Sequence, residues 1–326
     1  MKIFVTGGTG FIGRYTTELL STTNHQIKLL IRKTSNVSSL KKPNVEFVEG
    51  DLTDRRSLLA GMIDCDSVID IAGHYTLWEP DKSIYRKVNV EGTRNVMECA
   101  LESGIKKIVH ISTAGIFGKP ADFPFNEKSQ VGPVRESEYF RTKYEGDKIV
   151  WDLYEKKGLP VVFIYPVCVI GPGDSKASGR YLKDIINKKL PGTVFKKRTF
   201  TFVCVRDVAL AIVRALEKPG NIGEKYLVGN YRCTWKELNT LLSEVSGVPL
   251  PKIEFPESLT LMNAYLLTGL ANLIKKPPLW NMSVDQMKVM RMGFSVDGTK
   301  AEKELGIQYT PIKEVLKEVV DSIGKN

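Results

Sequence analysis

Tyr139 and Lys143 stand four residues apart in the stretch Glu138-Tyr-Phe-Arg-Thr-Lys143. On a helix that spacing puts a phenol and an ammonium on one face. A phenol titrates at about pH 10. A cation beside it favours the phenolate and draws that value toward the working range. The pair therefore reads as an acid/base whose proton moves as a hydride moves to or from carbon. Tyr-x-x-x-Lys alone is common on helices for packing and solvation; its weight here comes from order along the chain. A glycine turn comes first, then a strand ending Ile111-Ser112-Thr113, then the tyrosine helix. A hydroxyl at the carboxyl end of that strand can hydrogen-bond a substrate oxygen and stabilise charge developing on it.

The glycine turn is Gly7-x-x-Gly10-x-x-Gly13, between an apolar β-branched run at Ile3-Thr6 and an amphipathic run at Phe11-Ser21. In that context the first glycine permits a tight turn, the second lets backbone N–H groups approach a pyrophosphate, and the third lets helix and strand pack closely. A dinucleotide is implied, held by Gly7, Thr9, Gly10, Phe11, Ile12 and Gly13. Its kind is decided at the end of the second strand, where a carboxylate would accept from the ribose 2′-hydroxyl of NAD. Arg32-Lys33-Thr34-Ser35 stands there instead. A guanidinium suits a 2′-phosphate, so NADP(H) is favoured over NAD(H). In Gly50-Asp51-Leu52-Thr53-Asp54 an aspartate can accept from the adenine amino group, while Thr53 or Asp54 can cap the next helix.

The elements that must position these groups follow from periodicity. Apolar β-branched runs at Ile3-Thr6, Ile27-Ile31, Val45-Val48, Ser67-Ile71, Lys107-Ile111 and Val161-Tyr165 predict six strands. Helical periodicity falls between them at Phe11-Ser21, Asp54-Ala60, Ile84-Glu102 and Glu136-Lys157. This is an α/β chain with a doubly wound parallel sheet, whose ligand crevice lies at the carboxyl ends of the strands. After Pro166, Gly171-Pro-Gly-Asp174, Ser178-Gly179 and Pro191-Gly192 break the alternation. Helices are expected at Val205-Glu217, Trp235-Val245, Leu259-Ile274, Ser283-Met292, Thr299-Leu305 and Ile312-Ile323. The expected division is a dinucleotide domain over residues 1–165 that also receives 200–230, and a smaller, mostly helical substrate cap from 166–199 and 231–326. Tyr75, Trp78, Phe117 and the Leu259-Ile274 helix are candidates to line an apolar substrate pocket.

Composition narrows the class. The chain has 326 residues and a net charge of +10, but its 47 Lys and Arg are interspersed with 37 Asp and Glu. A solvated basic surface fits that better than a nucleic-acid site. The five cysteines are scattered without metal-ligand spacing, so reduced thiols and no metal are expected. A strand pattern beginning at Lys2 with no signal-like segment before it gives a cytoplasmic expectation. Leu259-Ile274 is apolar but, with Asn263, Thr268, Gly269 and Asn272 inside, short of a membrane span. A buried or lid-forming helix is the expectation, with interfacial attachment as the alternative.

The chain resembles the extended short-chain dehydrogenase/reductase superfamily, the NAD(P)-dependent epimerase/dehydratase group. The resemblance rests on TGGTGFIG at Thr6-Gly13, GDLTD at Gly50-Asp54, VNVEGTRNV at Val88-Val96, HISTAGIFG at His110-Gly118, YFRTK at Tyr139-Lys143, YPVCVIGPGD at Tyr165-Asp174 and FVCVRDVA at Phe202-Ala209. It implies that Thr113 meets the substrate, with Ser112 beside the cofactor, and that Lys143 also grips the nicotinamide ribose. It further implies that Ile71-Ala72-Gly73 runs along the cofactor, that Pro166-Val169 meets the nicotinamide amide, and that Asn89 steadies the active-site helix near the cofactor. Gly73, where alanine is common, and Tyr165, where many members carry Arg, depart from the pattern.

Tyr165-Pro-Val-Cys-Val169 has no Asn of the sort that nucleotide-sugar epimerases place there. With His74-Tyr-Thr-Leu-Trp78 it is similar to dihydroflavonol reductase-like, sterol dehydrogenase-like and hopanoid-associated sugar epimerase-like members. The expectation is an NADP(H)-dependent oxidoreductase acting on a carbonyl or secondary alcohol of a moderately large, partly apolar small molecule. A nucleotide-sugar epimerase or dehydratase with transient hydride transfer is the alternative. A non-catalytic redox sensor is disfavoured by the intact Tyr/Lys pair. Relatives often pair through two long helices, which predicts a homodimer through 84–102 and 136–157.

Overall fold

The computed structural model describes residues 1–324. β1 (Lys2–Thr6) leads through the glycine turn to α1 (Phe11–Ser21), and β2 (Gln26–Ile31), β3 (Val45–Glu49), α2 (Arg55–Met62) and β4 (Ser67–Asp70) follow. Next come α3 (Ser83–Arg86), a π-helical segment (Lys87–Gly92) and α4 (Thr93–Glu102), one continuous run that the sequence predicts as a single helix. β5 (Lys107–Ile111), α5 (Glu138–Lys157) and β6 (Val161–Pro166) complete the first half. The six expected strands and the helices between them are present, with ends shifted by a residue or two.

Beyond Pro166 lie β7 (Cys168–Ile170), α6 (Ala177–Ile186), β8 (Gly192–Thr193), β9 (Thr199–Cys204), α7 (Val205–Glu217) and β10 (Lys225–Val228). β11 (Tyr231–Thr234), α8 (Trp235–Ser246), β12 (Ile253–Glu254), α9 (Glu257–Ile274), α10 (Val284–Met292), α11 (Thr299–Leu305) and α12 (Ile312–Ile323) end the described chain. The sequence reading passes over α6, which contains the Ser178-Gly179 pair that reads as a break, and over the strands that follow Pro166.

The main sheet has seven strands in the order β10-β6-β5-β4-β1-β2-β3, and every neighbouring pair is parallel. From β1 the chain winds outward through β2 and β3, then returns to place β4 on the other side of β1. That reversal is the topological switch point, and it opens a crevice at the carboxyl ends of β1 and β4. The central strands are covered on both faces: all six residues of β6 are buried, and so are Ile3, Phe4 and Val5 of β1, whereas the edge strand β3 buries none fully. α1 packs against α7 on one of those faces. Two small sheets, β11-β9-β7 and β12-β8, stand beside the main one; β9 falls in the 200–230 stretch expected to join the dinucleotide domain but pairs with β7 and β11 instead of the main sheet.

A close approach explains one glycine. A Cβ at Gly146 of α5 would stand 2.3 Å from the Asn89 carbonyl oxygen, so α5 and the π segment can touch only because that side chain is absent. Within the α5 span expected to pair with a second copy, Lys148 and Asp152 are exposed. Trp151 instead packs on Tyr144 and Phe163 under the Lys225 ammonium, and the Tyr154 ring lies beneath Gly223.

Candidate active site

A cleft of about 620 Å³ opens at the switch point and runs under the cap. Gly7, Thr9, Gly10, Phe11, Ile12 and Gly13 line its floor. Gly7 has φ +69°, a left-handed conformation, and a Cβ there would lie 2.6 Å from the Ala72 nitrogen. A Cβ on Gly13 would lie 2.1 Å from the Gly7 carbonyl oxygen. Gly10 caps α1 without any side-chain hydrogen bond, leaving the first-turn N–H groups for an anion. Both glycines are thus required by close backbone packing, which sets the tight turn ahead of the first-turn N–H groups of α1.

Arg32 and Ser35 line the same cleft, and the Arg32 N–H donates to Ser35 Oγ at 3.0 Å. Arg32 is exposed, whereas Lys33 pairs with Glu49 at 3.6 Å. Asp51 and Leu52 also line it. Burial tends to raise the Asp51 carboxyl, but donation from Thr53 N and Oγ1, at 2.9 and 2.7 Å, together with the Arg32 charge, holds it below its ordinary value. Asp54 supplies the cap of α2, accepting from Arg56 N.

Thr113, Tyr139 and Lys143 all face this cleft, as do Ser112 and Tyr75. Ser137 caps α5 by accepting from Phe140 N at 3.2 Å, which starts the helix just before Tyr139. Thr113 follows β5 and accepts from Gly115 N at 3.2 Å. Ser112 Oγ is buried and has no protein partner among the described residues, a donor and acceptor free for a bound group.

The electrostatics differ from the sequence expectation. Lys143 Nζ donates to the Ile111 carbonyl at 3.0 Å. The Tyr139 ring lies 4.8 Å from that of Tyr75. Burial, and after it the Asp147 charge, pushes the Tyr139 phenol above its ordinary value. The lowering expected from Lys143 is therefore not what the protein alone provides. Desolvation prevails, and the phenol is held in its proton-carrying form.

Behind this wall lies a buried polar chain to which the sequence reading assigns no role. Thr6 Oγ1 donates to Asp70 Oδ1 at 2.6 Å; His110 Nδ1 lies 2.9 Å from Asp70 Oδ2, and Nε2 lies 3.2 Å from Asp147 Oδ1. Burial alone would lower the His110 pKa, but the bonds to Asp147 and Asp70 outweigh it and the value is raised. The sheet register pairs Asp70 with His110, so the contact follows from strand alignment between distant segments.

The family model for NAD dependent epimerase/dehydratase matches residues 3–229, which include this turn and this wall. The chain belongs to that family. A Synechocystis sp. protein carrying a provisional dihydroflavonol 4-reductase name is 28% identical over 324 residues, covering 97% of this chain and 93% of the relative. Sterol demethylase protein B of Methylococcus capsulatus is 29% identical over 325 residues, covering 98% and 97%. The crystal structure of gox2253 superposes with a TM-score of 0.84 at 30% identity, covering 99% of this chain and 98% of that one.

Within this epimerase/dehydratase chain, Ile71, Ala72, Gly73, Pro166 and Val169 line the cleft as the resemblance implies. Three expected residues do not. Asn89 lies behind it: its Oδ1 accepts from His74 N at 2.8 Å, and its Nδ2 donates to His74 O and to Thr142 Oγ1 at 3.2 and 3.1 Å. It ties the cleft loop to α5 from within the π segment, and a cofactor contact is not its place. Phe117 is core, stacked on Phe125 at 5.3 Å with its edge contact to Tyr165 at 5.5 Å. Trp78 is turned to α9, its Nε1 donating to Asn272 Oδ1 at 3.0 Å.

The α9 helix does not line the cleft either; α10 does, through Gln286, Val289 and Met290. The cap's apolar end is built from Tyr181, Phe200, Trp235 and Phe294, with ring centroids 5.0 Å apart for Tyr181–Trp235, 5.2 Å for Phe200–Trp235 and 5.1 Å for Phe200–Phe294. Sequence reasoning misses these aromatics because they come from short elements far apart in the chain. His74, also on the cleft, has Nε2 2.8 Å from Glu79 Oε2; burial lowers its pKa against the pull of that carboxylate. Among the described residues no group of His, Cys, Asp and Glu converges to hold a metal ion.

Proposed function

We propose that this protein is an NADP(H)-dependent oxidoreductase that interconverts a carbonyl and a secondary alcohol on a moderately large, partly apolar substrate. The observation that carries the reading is the shared cleft: Thr113, Tyr139 and Lys143 line one space with the glycine turn, and that space ends in the aromatic cap. The tight turn that Gly7 and Gly13 permit, the free N–H groups at the start of α1, the unpaired Ser112 Oγ and the exposed Arg32 fit a phosphorylated dinucleotide. When bound, the nicotinamide would supply or take the hydride. Tyr139 gives or takes the proton at the substrate oxygen, and its raised pKa favours the form that gives. Thr113 donates a hydrogen bond to the same oxygen, stabilising charge as it develops. Lys143, anchored on the Ile111 carbonyl, brings a positive charge to the wall that carries the phenol. The cap aromatics hold the apolar part of the substrate and exclude water.

Support for a reductase over an epimerase is the absence of an amide side chain along Tyr165–Val169 and the apolar character of the cap. The test is nicotinamide absorbance during turnover of bulky apolar ketones with the purified protein. Stoichiometric oxidation of NADPH supports the reading; tightly retained cofactor with no net absorbance change on nucleotide sugars would overturn it. Homodimerisation through residues 84–102 and α5 belongs to the same proposal and is checked by light scattering.

A further inference from the structure

α9 is apolar on the wrong side. From Ser258 to Ile274 it carries no charged side chain. The residues it buries against the body are small: Thr260, Ala264 and Ala271. Met262, Leu266, Leu270 and Leu273 recur at helical spacing along the opposite, outward face; Leu266 is 66% exposed and Leu273 80%. An ordinary surface helix does the reverse, burying its large apolar stripe and showing polar groups to water. Two of its polar side chains are already bonded to neighbouring segments: Thr268 Oγ1 accepts from Val284 N at 3.0 Å, and Asn272 Oδ1 accepts from Trp78 Nε1. The apolar surface continues past the helix end onto Leu279 and Trp280, both exposed. Lys275, Trp280 and Asn281 adopt left-handed backbone in that loop, a conformation that costs a non-glycine residue about 1 kcal/mol or more.

Charge identifies what covers this face. Lys275 and Lys276 follow it directly, and Lys288 of α10 stands 5.8 Å from the Tyr265 ring. Glu257, the acid at the start of the helix, is already paired with Arg198 at 2.8 Å. An apolar stripe with an exposed Trp and Tyr and a cationic rim is complementary to an anionic bilayer surface. A second copy would bring equal cationic rims together on a chain of net charge +10, which opposes that pairing. Among the described residues no helix is long and apolar enough to cross a membrane, so the contact lies in the plane of the interface.

We propose that α9 and the Leu279–Trp280 loop form an interfacial membrane-binding face for anionic phospholipid. α10 packs against α9 and turns Val289 and Met290 into the cleft, so attachment sets the substrate chamber one helix from the lipid. Delivery of an apolar substrate from the bilayer rests on the function proposed above; lipid binding itself does not.

The test is co-sedimentation of the full chain with vesicles of phosphatidylcholine alone and of phosphatidylcholine mixed equally with phosphatidylglycerol. Binding to the anionic vesicles should be roughly tenfold tighter or more, weaken with salt, and shift the Trp280 fluorescence to the blue, a shift that Trp280→Phe removes. Leu266→Glu with Leu273→Glu should abolish sedimentation while leaving NADPH binding and the melting temperature unchanged. Should that pair compromise folding, Lys275→Glu with Lys276→Glu should remove the preference for anionic vesicles. No sedimentation of the folded chain, or sedimentation indifferent to both pairs, would overturn the proposal. So would a lipid-free dimer dispersed by Leu266→Glu. Sedimentation is read without turnover, so a failed oxidoreductase assay leaves this result standing.

Discussion

The two sides of the cleft are built on different principles. On the sheet side the backbone itself sets the shape: Gly7 and Gly13 have no room for a Cβ, and the parallel strands deliver Ser112, Thr113 and Ile71 to one edge. On the cap side the surface is made of side chains, four rings from α6, β9, α8 and the segment after α10 packed on one another, with the Tyr181 hydroxyl bonded to Asn239 and Phe200 bridged to Phe294 through the backbone. Chemistry tied to backbone tolerates almost no variation, whereas a wall of packed rings can be remodelled by substituting one of them. The sheet side should therefore govern rate and cofactor, and the cap side substrate. The largest effect that tests this division is Tyr139→Phe, which should lower turnover by about 10²- to 10⁴-fold while NADPH affinity, read by fluorescence titration, stays within a few fold. Retained turnover would remove the proposed acid and break the comparison.

A second, smaller effect stays on the sheet side. Arg32→Asp replaces the guanidinium lining the cleft with a carboxylate, which should shift the ratio of NADPH to NADH affinity by about 10- to 100-fold toward NADH. Apolar substrate KM should hold steady in the same variant. The complementary change is Trp235→Phe in the cap, which removes part of a ring that touches Tyr181 and Phe200. Loss of that apolar area should raise KM for a bulky apolar substrate about tenfold with NADPH affinity unchanged. A cofactor effect from Trp235→Phe, or a substrate effect from Arg32→Asp, would show that the two sides are not separable.

The same division decided what was legible in the sequence. The central strands such as β1 and β6 are near-continuous apolar runs because both faces are covered, and a run of that kind is visible without neighbours. The glycine turn is visible because a missing side chain is a local fact. Tyr139 and Lys143 are visible because their partnership is set by helical spacing. Phe117 and Trp78 were misplaced because an aromatic residue carries no mark of which way it faces: Phe117 belongs to a stack with Phe125, and Trp78 to a bond with Asn272 almost two hundred residues away. The buried chain Thr6–Asp70–His110–Asp147 depends on three strands and a helix coming into register, which no local pattern shows. The anchoring of Lys143 is invisible for a related reason: adjacency on a helix face is local, but the Ile111 carbonyl that accepts from its ammonium belongs to β5.

Two histidines give the finest test, because one residue type is driven in opposite directions behind the sheet wall and on the cleft loop that follows β4. His110, behind the sheet wall, has its pKa raised: burial opposes the charge, and the bonds to Asp147 and Asp70 outweigh it. Its stabilisation is present in full below the unfolded-state value of about 6.5 and is lost as pH rises through the higher folded value. His74, on the cleft loop, has its pKa lowered by burial despite Glu79. The folded state there resists the proton that the unfolded chain accepts, so stability falls as pH drops through about 6.5 toward the lower folded value. Measured melting temperatures should therefore show His110→Gln most destabilised relative to the parent at acid pH, with the gap narrowing as pH rises. His74→Gln should gain on the parent as pH falls. Both differences are small beside those above; their opposite slopes reflect a fully buried imidazole answered by two carboxylates and a half-buried one answered by one, with the Lys176 and Arg32 charges adding to the lowering at His74. Parallel slopes would mean that the Asp70–His110–Asp147 chain does not carry a proton in the folded protein, and that the sheet wall owes its order to packing alone.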